Sequence, residues 1–577
     1  MTGGFITAKI LKEHNVKHIF TVCGGHISPI LSEGKKLGIR IVDVRNEVNA
    51  VFAADSVSRL TGSPGVAVVT AGPGVTNSVT ALINAKMAQS PLIIFGGASA
   101  TVLRGRGALQ DIDQISLIRS AVKTVFTIKR NCDFIPAIES AFASAVSDVP
   151  GPVFIECPID LLYDETLVRQ WYAMKGSTGD KCSLRDRLTS WYLNRHLNKI
   201  YACDIDTMSR ESIPPAKPDF KKHTPAEAVR LIDKSVQPLL IIGSQALSNP
   251  DLTPELTEAI NTMNIPVYLT GMARGLLGNN HPLQFHHKRD IALKEADLVI
   301  LAGEPCDFRL DYGRSINPRA KTIAVNRSKH ELTLNRKPYL AVHGDPAEFL
   351  TACSSIMKSR PARNEWKQVL ICREKQREND IKKLAMERTG YINPLLLLER
   401  INSVLNNTSI IVADGGDFVA TASYVLHPRR PLAWLDPGVF GTLGVGAGFA
   451  MGAKVLNPDS DVWLIWGDGA AGYSLIEFDT FVRHGIPVIA VIGNDAGWTQ
   501  IARDQLEYLN DDVATVLRYA DYHGIAESLG ARGFMINNED QIDTTLEQAV
   551  ELSRKGTPVL INALIGKTAF RKGSISV

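Results

Sequence analysis

Two apolar runs in the carboxyl-terminal third of the chain end on oxygen ligands. "DVWLIWGDG" closes on Gly467-Asp468-Gly469, and "IPVIAVIGN" closes on Asn494, 27 residues after Gly467. A carboxylate and an amide oxygen at neighbouring strand ends make a hard, oxygen-only site, suited to magnesium rather than zinc. The glycines of "GDGAAG" let the backbone approach closely, and a helix read over "SLIEFDTFVR" turns its N-terminus toward an anion. Together these features predict a diphosphate held by backbone donors and one divalent cation. No GK[ST] follows, which excludes a P-loop. The competing reading of Asp468 and Asn494 is turn capping at strand ends.

Elements of one kind must position these groups. The runs "HIFTVCG", "IRIVDVR", "GVAVVTAG", "PLIIFGG" and "GPVFIECP" fall within residues 1–170. Continuous β-branched runs without alternation suit strands buried on both faces, hence a parallel sheet flanked by helices. The same grammar recurs over residues 222–356 and again over 390–577. The fold class is therefore α/β, with three doubly wound parallel-sheet domains, each offering ligand groups at its strands' carboxyl ends. Residues 357–389 read as a charged connecting helix. Residues 171–221 read as a linker with an amphipathic helix, its stripe formed by Leu184, Leu188, Trp191, Tyr192 and Leu197 beside Arg185, Arg187, Arg195 and Lys199. Such a helix either docks on the body of the protein or lies on a membrane surface.

At 577 residues the chain exceeds one hydrophobic core, and 45% apolar with 21% charged residues is globular composition. A net charge of +3 gives no sign of a nucleic-acid partner. The eight cysteines form no CxxC pair, which predicts neither a zinc site nor a disulfide frame and favours a reducing compartment. The start "MTGGFITAKILKEHNVKHIF" lacks a signal-peptide pattern. Pro437 to Ala453 is Gly-rich and short of the roughly 20 residues a bilayer requires, so it reads as a close-packed internal helix.

The "GDG" and "GN" pair resembles the binding motif of thiamine-diphosphate enzymes, normally GDG, a gap of this length, then Asn-Asn; here the first Asn is Gly493. The resemblance implies thiamine diphosphate and Mg2+ as cofactors. Gly467, Gly469 and Ala470 then serve the diphosphate, Asp468 and Asn494 are side-chain metal ligands, and the Ala496 carbonyl is a third. Such a cofactor works when a carboxylic acid bonds its pyrimidine ring. Glu47, followed by "VVTAGPGVTN", matches the family's activating Glu; alone it would be a first-turn Glu favourable to the helix dipole. In "DPGVFGTLGVGAGFA", Leu443 takes the position of the apolar wedge under the cofactor and Gly441 offers a carbonyl to its amino group. The three domains become pyrimidine-binding, central Rossmann-like and diphosphate-binding. The family also implies a homodimer or homotetramer with active sites shared between subunits.

Within that family the chain is most similar to the acetolactate-synthase-like branch that includes 2-hydroxyacyl-CoA lyases, through "GDGAAGYSLIEFDTFVRH", "GNDAGWTQI", "GMARGLLGNNHPL" and "FRKGSISV". The implied reaction cleaves the C1–C2 bond of a 2-hydroxyacyl-CoA to formyl-CoA and an aldehyde one carbon shorter, as in fatty acid α-oxidation and phytosphingosine breakdown. His26 then suits the base for the 2-hydroxyl, and Gln110 a position facing substrate; a helix-start histidine and a loop amide are the competing readings. Arg274, Arg309, Arg327 and Arg571 are candidates for the phosphates of the acyl-CoA partner. Asn326 stands where relatives carry an acidic ribose ligand. The alternatives are an acetolactate synthase joining two pyruvates, against which Leu443 and "AGWTQI" argue, and a catalytically silent scaffold. Close relatives imply the cytosolic face of the endoplasmic reticulum membrane, with a peripheral membrane contact, whereas the chain's own composition predicts a soluble cytoplasmic protein.

Overall fold

The computed structural model describes residues 1–173, 184–203, 211, 213–357 and 362–572. Cys182, residues 358–361 of the connecting segment and the last five residues of "FRKGSISV" lie outside the described residues, as does the side chain of Arg185. Eighteen strands form three six-stranded sheets. The first contains β1 (His18–Thr21), β2 (Arg40–Asp43), β3 (Gly65–Val69), β4 (Leu92–Ala98), β5 (Thr124–Thr127) and β6 (Pro152–Pro158), in the order β2-β1-β3-β4-β6-β5. The second contains β7 (Pro238–Ile242), β8 (Val267–Leu269), β9 (Gln284–Phe285), β10 (Leu298–Ala302), β11 (Lys321–Asn326) and β12 (Leu340–His343), ordered β12-β11-β10-β7-β8-β9. The third contains β13 (Ile410–Ala413), β14 (Trp434–Leu435), β15 (Val462–Gly467), β16 (Ile489–Asn494), β17 (Arg532–Ile536) and β18 (Val559–Leu564), ordered β14-β13-β15-β16-β18-β17.

Every ladder is parallel. The central strands are buried along their whole length, as in Gly65–Val69 and Val462–Gly467, which is why they read as unbroken apolar runs. The first and third sheets share one topology, and the second has the Rossmann order. Strand order reverses between β1 and β3, between β7 and β10, and between β13 and β15. Crevices for ligands open at the carboxyl ends of these pairs.

The three sheets fall into two compact units: Met1–Ser58 with Ser63–Ala216, and Lys217–Val577 with Arg59–Gly62. The helix Asn364–Ala385 fastens the second and third sheets into one unit. Its Trp366 and Leu370 pack into the core of the second sheet, with the Trp366 indole N–H donating to Pro238 O at 3.1 Å. Its far end puts Ile381 and Ala385 into the core of the third. Between them Glu374 accepts from the backbone N–H groups of His286 and His287 at 2.9 and 3.0 Å.

Two expectations are corrected. The helix Leu184–Ile200 docks on the first unit through Leu193, His196, Leu197 and Ile200, while Leu184, Leu188, Trp191 and Tyr192 are exposed. At 3.6 residues per turn Leu197 falls opposite the other four, so the stripe is two faces. Second, Cys132 and Cys203 form a disulfide, with Cα atoms 5.5 Å apart. Asn131 brings them together by donating to Cys203 O at 2.6 Å and accepting from its N–H at 3.3 Å, across a separation that leaves no sequence pattern. The internal-helix reading holds: Gly446–Leu456 is buried from Gly446 to Val455. Among the described residues no helix is long and apolar enough to cross a membrane.

Candidate active site

The carboxyl ends of β13, β15 and β16 surround a cavity of about 250 Å³. Gly441, Leu443, Gly467, Asp468, Gly469 and Ala470, all singled out from the sequence, line it. Close packing explains the glycines. A Cβ on Gly467 would stand 2.9 Å from Gly415 O, and one on Gly469 would stand 2.4 Å from the Trp498 ring. One on Gly493 would strike the Phe418 ring at 2.3 Å, so the departure from Asn-Asn is a packing requirement. The sequence reading of a single helix over "SLIEFDTFVR" is corrected. A four-residue turn, Asp468–Ala471, follows β15 directly, and the next α-helix begins only at Phe478. The cavity is therefore lined by the Gly-rich turn, through Asp468, Gly469 and Ala470.

Asp468 is buried, accepting from Gly469 N–H at 2.9 Å and Gly497 N–H at 3.1 Å. Asn494 is fully buried and donates to Asn562 Oδ1 at 3.1 Å, which turns its own Oδ1 toward Ala496 N–H at 3.3 Å. Ala496 has φ +55°, and its carbonyl accepts from Leu517 N–H at 2.8 Å, leaving one lone pair. Burial, and then the neighbouring Asp495, push the Asp468 carboxyl up to about 7. A carboxylate so placed lacks a counter-charge, and a carboxylate, an amide oxygen and a carbonyl form a donor set that fits Mg2+ completed by water and phosphate. Among the described residues no three His, Cys, Asp or Glu side chains cluster as a metal site.

Asp414, at the end of β13, is a residue that sequence reasoning missed. It is buried and accepts from Gly444 N–H at 2.9 Å, Gly446 N–H at 2.8 Å and the Trp466 indole at 2.9 Å. Burial raises its carboxyl to about 6. These bonds fix the turn that carries Leu443, whose Cδ2 lies 2.1 Å from where a Cβ on Gly415 would stand. The only sequence signal was "ADGG" closing an apolar run.

The first unit holds the other predicted groups. Glu47 opens the helix Glu47–Thr61, is buried, and accepts from Asn77 Nδ2 at 3.0 Å. Gly74 lies between it and Thr70: a Cβ there would be 3.4 Å from Glu47 Oε1 and 3.0 Å from Thr70 Cγ2. Thr70 joins the two remaining residues, with its hydroxyl 3.4 Å from Gln110 Oε1 and 3.3 Å from His26 Nδ1. With the Gln110 amide oxygen facing the Thr70 hydroxyl, a His26 ring carrying its proton on Nδ1 donates to Thr70 and keeps its lone pair on Nε2. Burial lowers the His26 pKa, so the ring is neutral at pH 7. Thr70 is the member of this trio that the sequence did not suggest. These groups and the Asp468 group belong to different compact units.

A larger cavity of about 670 Å³ lies in the second unit, lined by Arg274, Lys288, Arg289, Arg309, Arg377 and Lys572 among others. Arg274 donates to Ser423 O at 2.8 Å and lies over Trp434, and Arg571 lies over Tyr424 on the cavity wall. Arg327 is not part of it; it is buried, donating to Ser248 Oγ at 3.3 Å and lying 3.9 Å from Asp345. Asn326 is likewise consumed internally, accepting from Gln245 at 3.0 Å and donating to Glu331 at 3.2 Å. At the β7–β10 switch point, buried Glu304 accepts from Thr270 at 2.8 Å and pairs with Arg309 at 3.3 Å, and its Oε2 lies 2.5 Å from where a Cβ on Gly243 would stand. A buried carboxylate thus packs against the turn that follows β7.

Three family models match in chain order: the N-terminal TPP-binding domain of thiamine pyrophosphate enzymes over residues 1–117, the central domain over 225–353 and the C-terminal TPP-binding domain over 414–563. The chain belongs to the thiamine pyrophosphate enzyme family. It is 47% identical to the 2-hydroxyacyl-CoA lyase 2 of Danio rerio over 582 residues, covering 100% of this chain and 93% of that protein. It is 47% identical to the human protein of that name over 583 residues, covering 100% and 92%. A probable acetolactate synthase of Mycobacterium bovis is 29% identical over 568 residues, 98% and 96% of the two chains.

Two outcomes follow from this geometry. Because Asp468 binds its proton more tightly folded than unfolded, the metal-free fold loses stability as pH rises from about 4 through about 7. Between those limits Asp468→Asn is expected to lose about 1–3 kcal/mol less than wild type in denaturant titrations, and to gain no stability from Mg2+ with thiamine diphosphate. His26→Ala is expected to lower kcat about 10²- to 10⁴-fold. It should also remove an acid limb of kcat/KM that the wild type shows below pH 6.5, since a base protonates as pH falls through its lowered pKa.

Proposed function

We propose that this chain cleaves the C1–C2 bond of long-chain 2-hydroxyacyl-CoA, releasing formyl-CoA and a fatty aldehyde one carbon shorter, as a carbon–carbon lyase of fatty acid α-oxidation and phytosphingosine degradation. It does so as a homodimer or homotetramer in which the Glu47 group of one subunit meets the Asp468 group of another. The observation that carries this reading is similarity to proteins named 2-hydroxyacyl-CoA lyase 2 along 100% of the chain. Asp468, Asn494 and the Ala496 carbonyl hold Mg2+ and with it the diphosphate. When bound, thiamine diphosphate supplies an electron sink for the bond that breaks. Glu47, oriented by Asn77, would bond the pyrimidine ring, and Leu443, on the turn fixed by Asp414, would support the cofactor. His26 Nε2 takes the proton of the 2-hydroxyl, and Thr70 with Gln110 keeps that nitrogen basic. The cations of the 670 Å³ cavity attract the CoA phosphates, and Arg274 and Arg309 are the sequence-predicted residues that serve there.

The purified protein incubated with labelled 2-hydroxyhexadecanoyl-CoA is expected to yield formyl-CoA and pentadecanal, and with pyruvate to yield no acetolactate. Glu47→Gln should reduce aldehyde formation by about 10²-fold or more. Acetolactate without aldehyde would make the carboligase alternative correct; full cofactor loading with no turnover of either substrate would favour the silent scaffold.

The exposed Leu184, Leu188, Trp191 and Tyr192, with Arg187 and Arg195 beside them, support a peripheral contact with an anionic membrane surface, in keeping with the cytosolic face of the endoplasmic reticulum. Flotation with anionic liposomes is expected to carry wild type upward and to leave a Leu188→Ser, Trp191→Ser variant in the soluble fraction; equal flotation of both would exclude this face.

A further inference from the structure

The helix Thr499–Leu509 starts at the wall of the 250 Å³ cavity, where Thr499, Gln500 and Ile501 form part of the lining. It is amphipathic, yet none of its residues is buried. Wound at 3.6 residues per turn, Tyr508, Ile501, Gln505, Leu509, Ala502 and Leu506 fall on one arc, apolar except for Gln505, whose amide donates to Val513 O at 2.9 Å, with Arg503, Glu507, Asp504 and Gln500 on the other. An ordinary surface helix packs its apolar arc inward. Here the attachment is polar, Arg503 donating to Asp417 at 2.5 Å, and the apolar arc is open: Leu506 is 49% exposed, Tyr508 76% and Leu509 71%. The returning chain adds exposed Val513 and Val516. It is fastened by Trp498 N–H donating to Thr515 O and Leu517 N–H to Ala496 O, both at 2.8 Å, so the arm is anchored to the metal-binding loop at both ends.

We propose that this arc, continuous with the cavity through Ile501, receives the hydrocarbon chain of the long-chain 2-hydroxyacyl-CoA substrate, an assignment that rests on the lyase reading above. Its Ile501 end lies at the cavity wall, no charged side chain falls on it, and Gln505 within it bonds its amide N–H to Val513 O. From Ile501 to Leu509 it extends about 12 Å, and its far end is open, which admits chains of different length. Leu506, Leu509 and Val513 then set chain-length preference without touching the reacting atoms.

The test uses holoenzyme carrying Leu506→Ser with Leu509→Ser, and separately Val513→Ser, against wild type. Turnover and equilibrium binding are measured for 2-hydroxyhexadecanoyl-CoA below its micelle concentration and for 2-hydroxybutanoyl-CoA. The expected result for the double variant is at least about a tenfold rise in KM and Kd for the long chain, with short-chain kcat/KM within about twofold of wild type and an unchanged oligomer mass. The single variant should show a smaller shift of the same selectivity. Equal losses on both substrates, an unchanged long-chain Kd, or a changed oligomer mass, which would give the arc to a second copy of the chain, each overturns the proposal. Should wild type bind the long chain and cleave neither substrate, the lyase reading fails, while the Kd ratio between wild type and variant still decides the assignment of the arc.

Discussion

A carboxylate withdrawn from water without a cation is the constraint around which the third sheet is organised. Asp468 is buried at the mouth of β15, with Asp495 close enough to disfavour its ionisation further. Neutral backbone N–H groups, those of Gly469, Gly497 and Asp468 itself, face it, which is less than a buried charge requires. A divalent ion, as proposed above, would supply the positive charge that this carboxylate calls for. The flanking glycines follow from the same demand, since side chains at Gly467, Gly469 or Gly493 would collide with the walls that exclude water.

The second principle is placement through rigid backbone rather than long side chains. Asp414 grips the turn before the helix Gly446–Leu456 by two peptide N–H groups, and that turn presents Leu443. Thr70 makes a similar link in the first unit, its hydroxyl lying 3.3 Å from His26 Nδ1 and 3.4 Å from Gln110 Oε1. In both cases a short, buried polar group ties together segments that are distant along the chain. The central domain shows the opposite use of a buried acid. Glu304 packs against the turn that follows β7, and the open basic cavity lies toward β8 and β9.

The sequence made the interior strands legible and, of the edge strands, only β2. The unbroken apolar runs all became strands, while β5, β9, β12, β14 and β17 went unread, and each is an edge strand. An edge is paired on one side only, so it can be short, as Gln284–Phe285 is, or partly exposed, as Arg532–Ile536 is, without an apolar run to mark it. The helix near Trp191 was misread for a different reason. Its five apolar residues are near one another in sequence, but the helical repeat puts Leu197 on the face opposite the other four.

What the sequence alone determined was the kind of chemistry: Gly467-Asp468-Gly469 and Asn494 at a fixed interval, and Glu47 ahead of "VVTAGPGVTN", are local patterns in which each residue's neighbours along the chain supply its geometry. What only the tertiary structure decided were relations between distant segments. The Asp414 clamp, the Thr70 link, the Cys132–Cys203 bond and the bond from Thr270 to Glu304 all join positions whose spacing carries no periodic signal. Local pattern is enforced by backbone geometry and so leaves a trace in the sequence. Long-range contact is enforced by packing, which many spacings satisfy equally well, and it becomes visible only when the chain is folded.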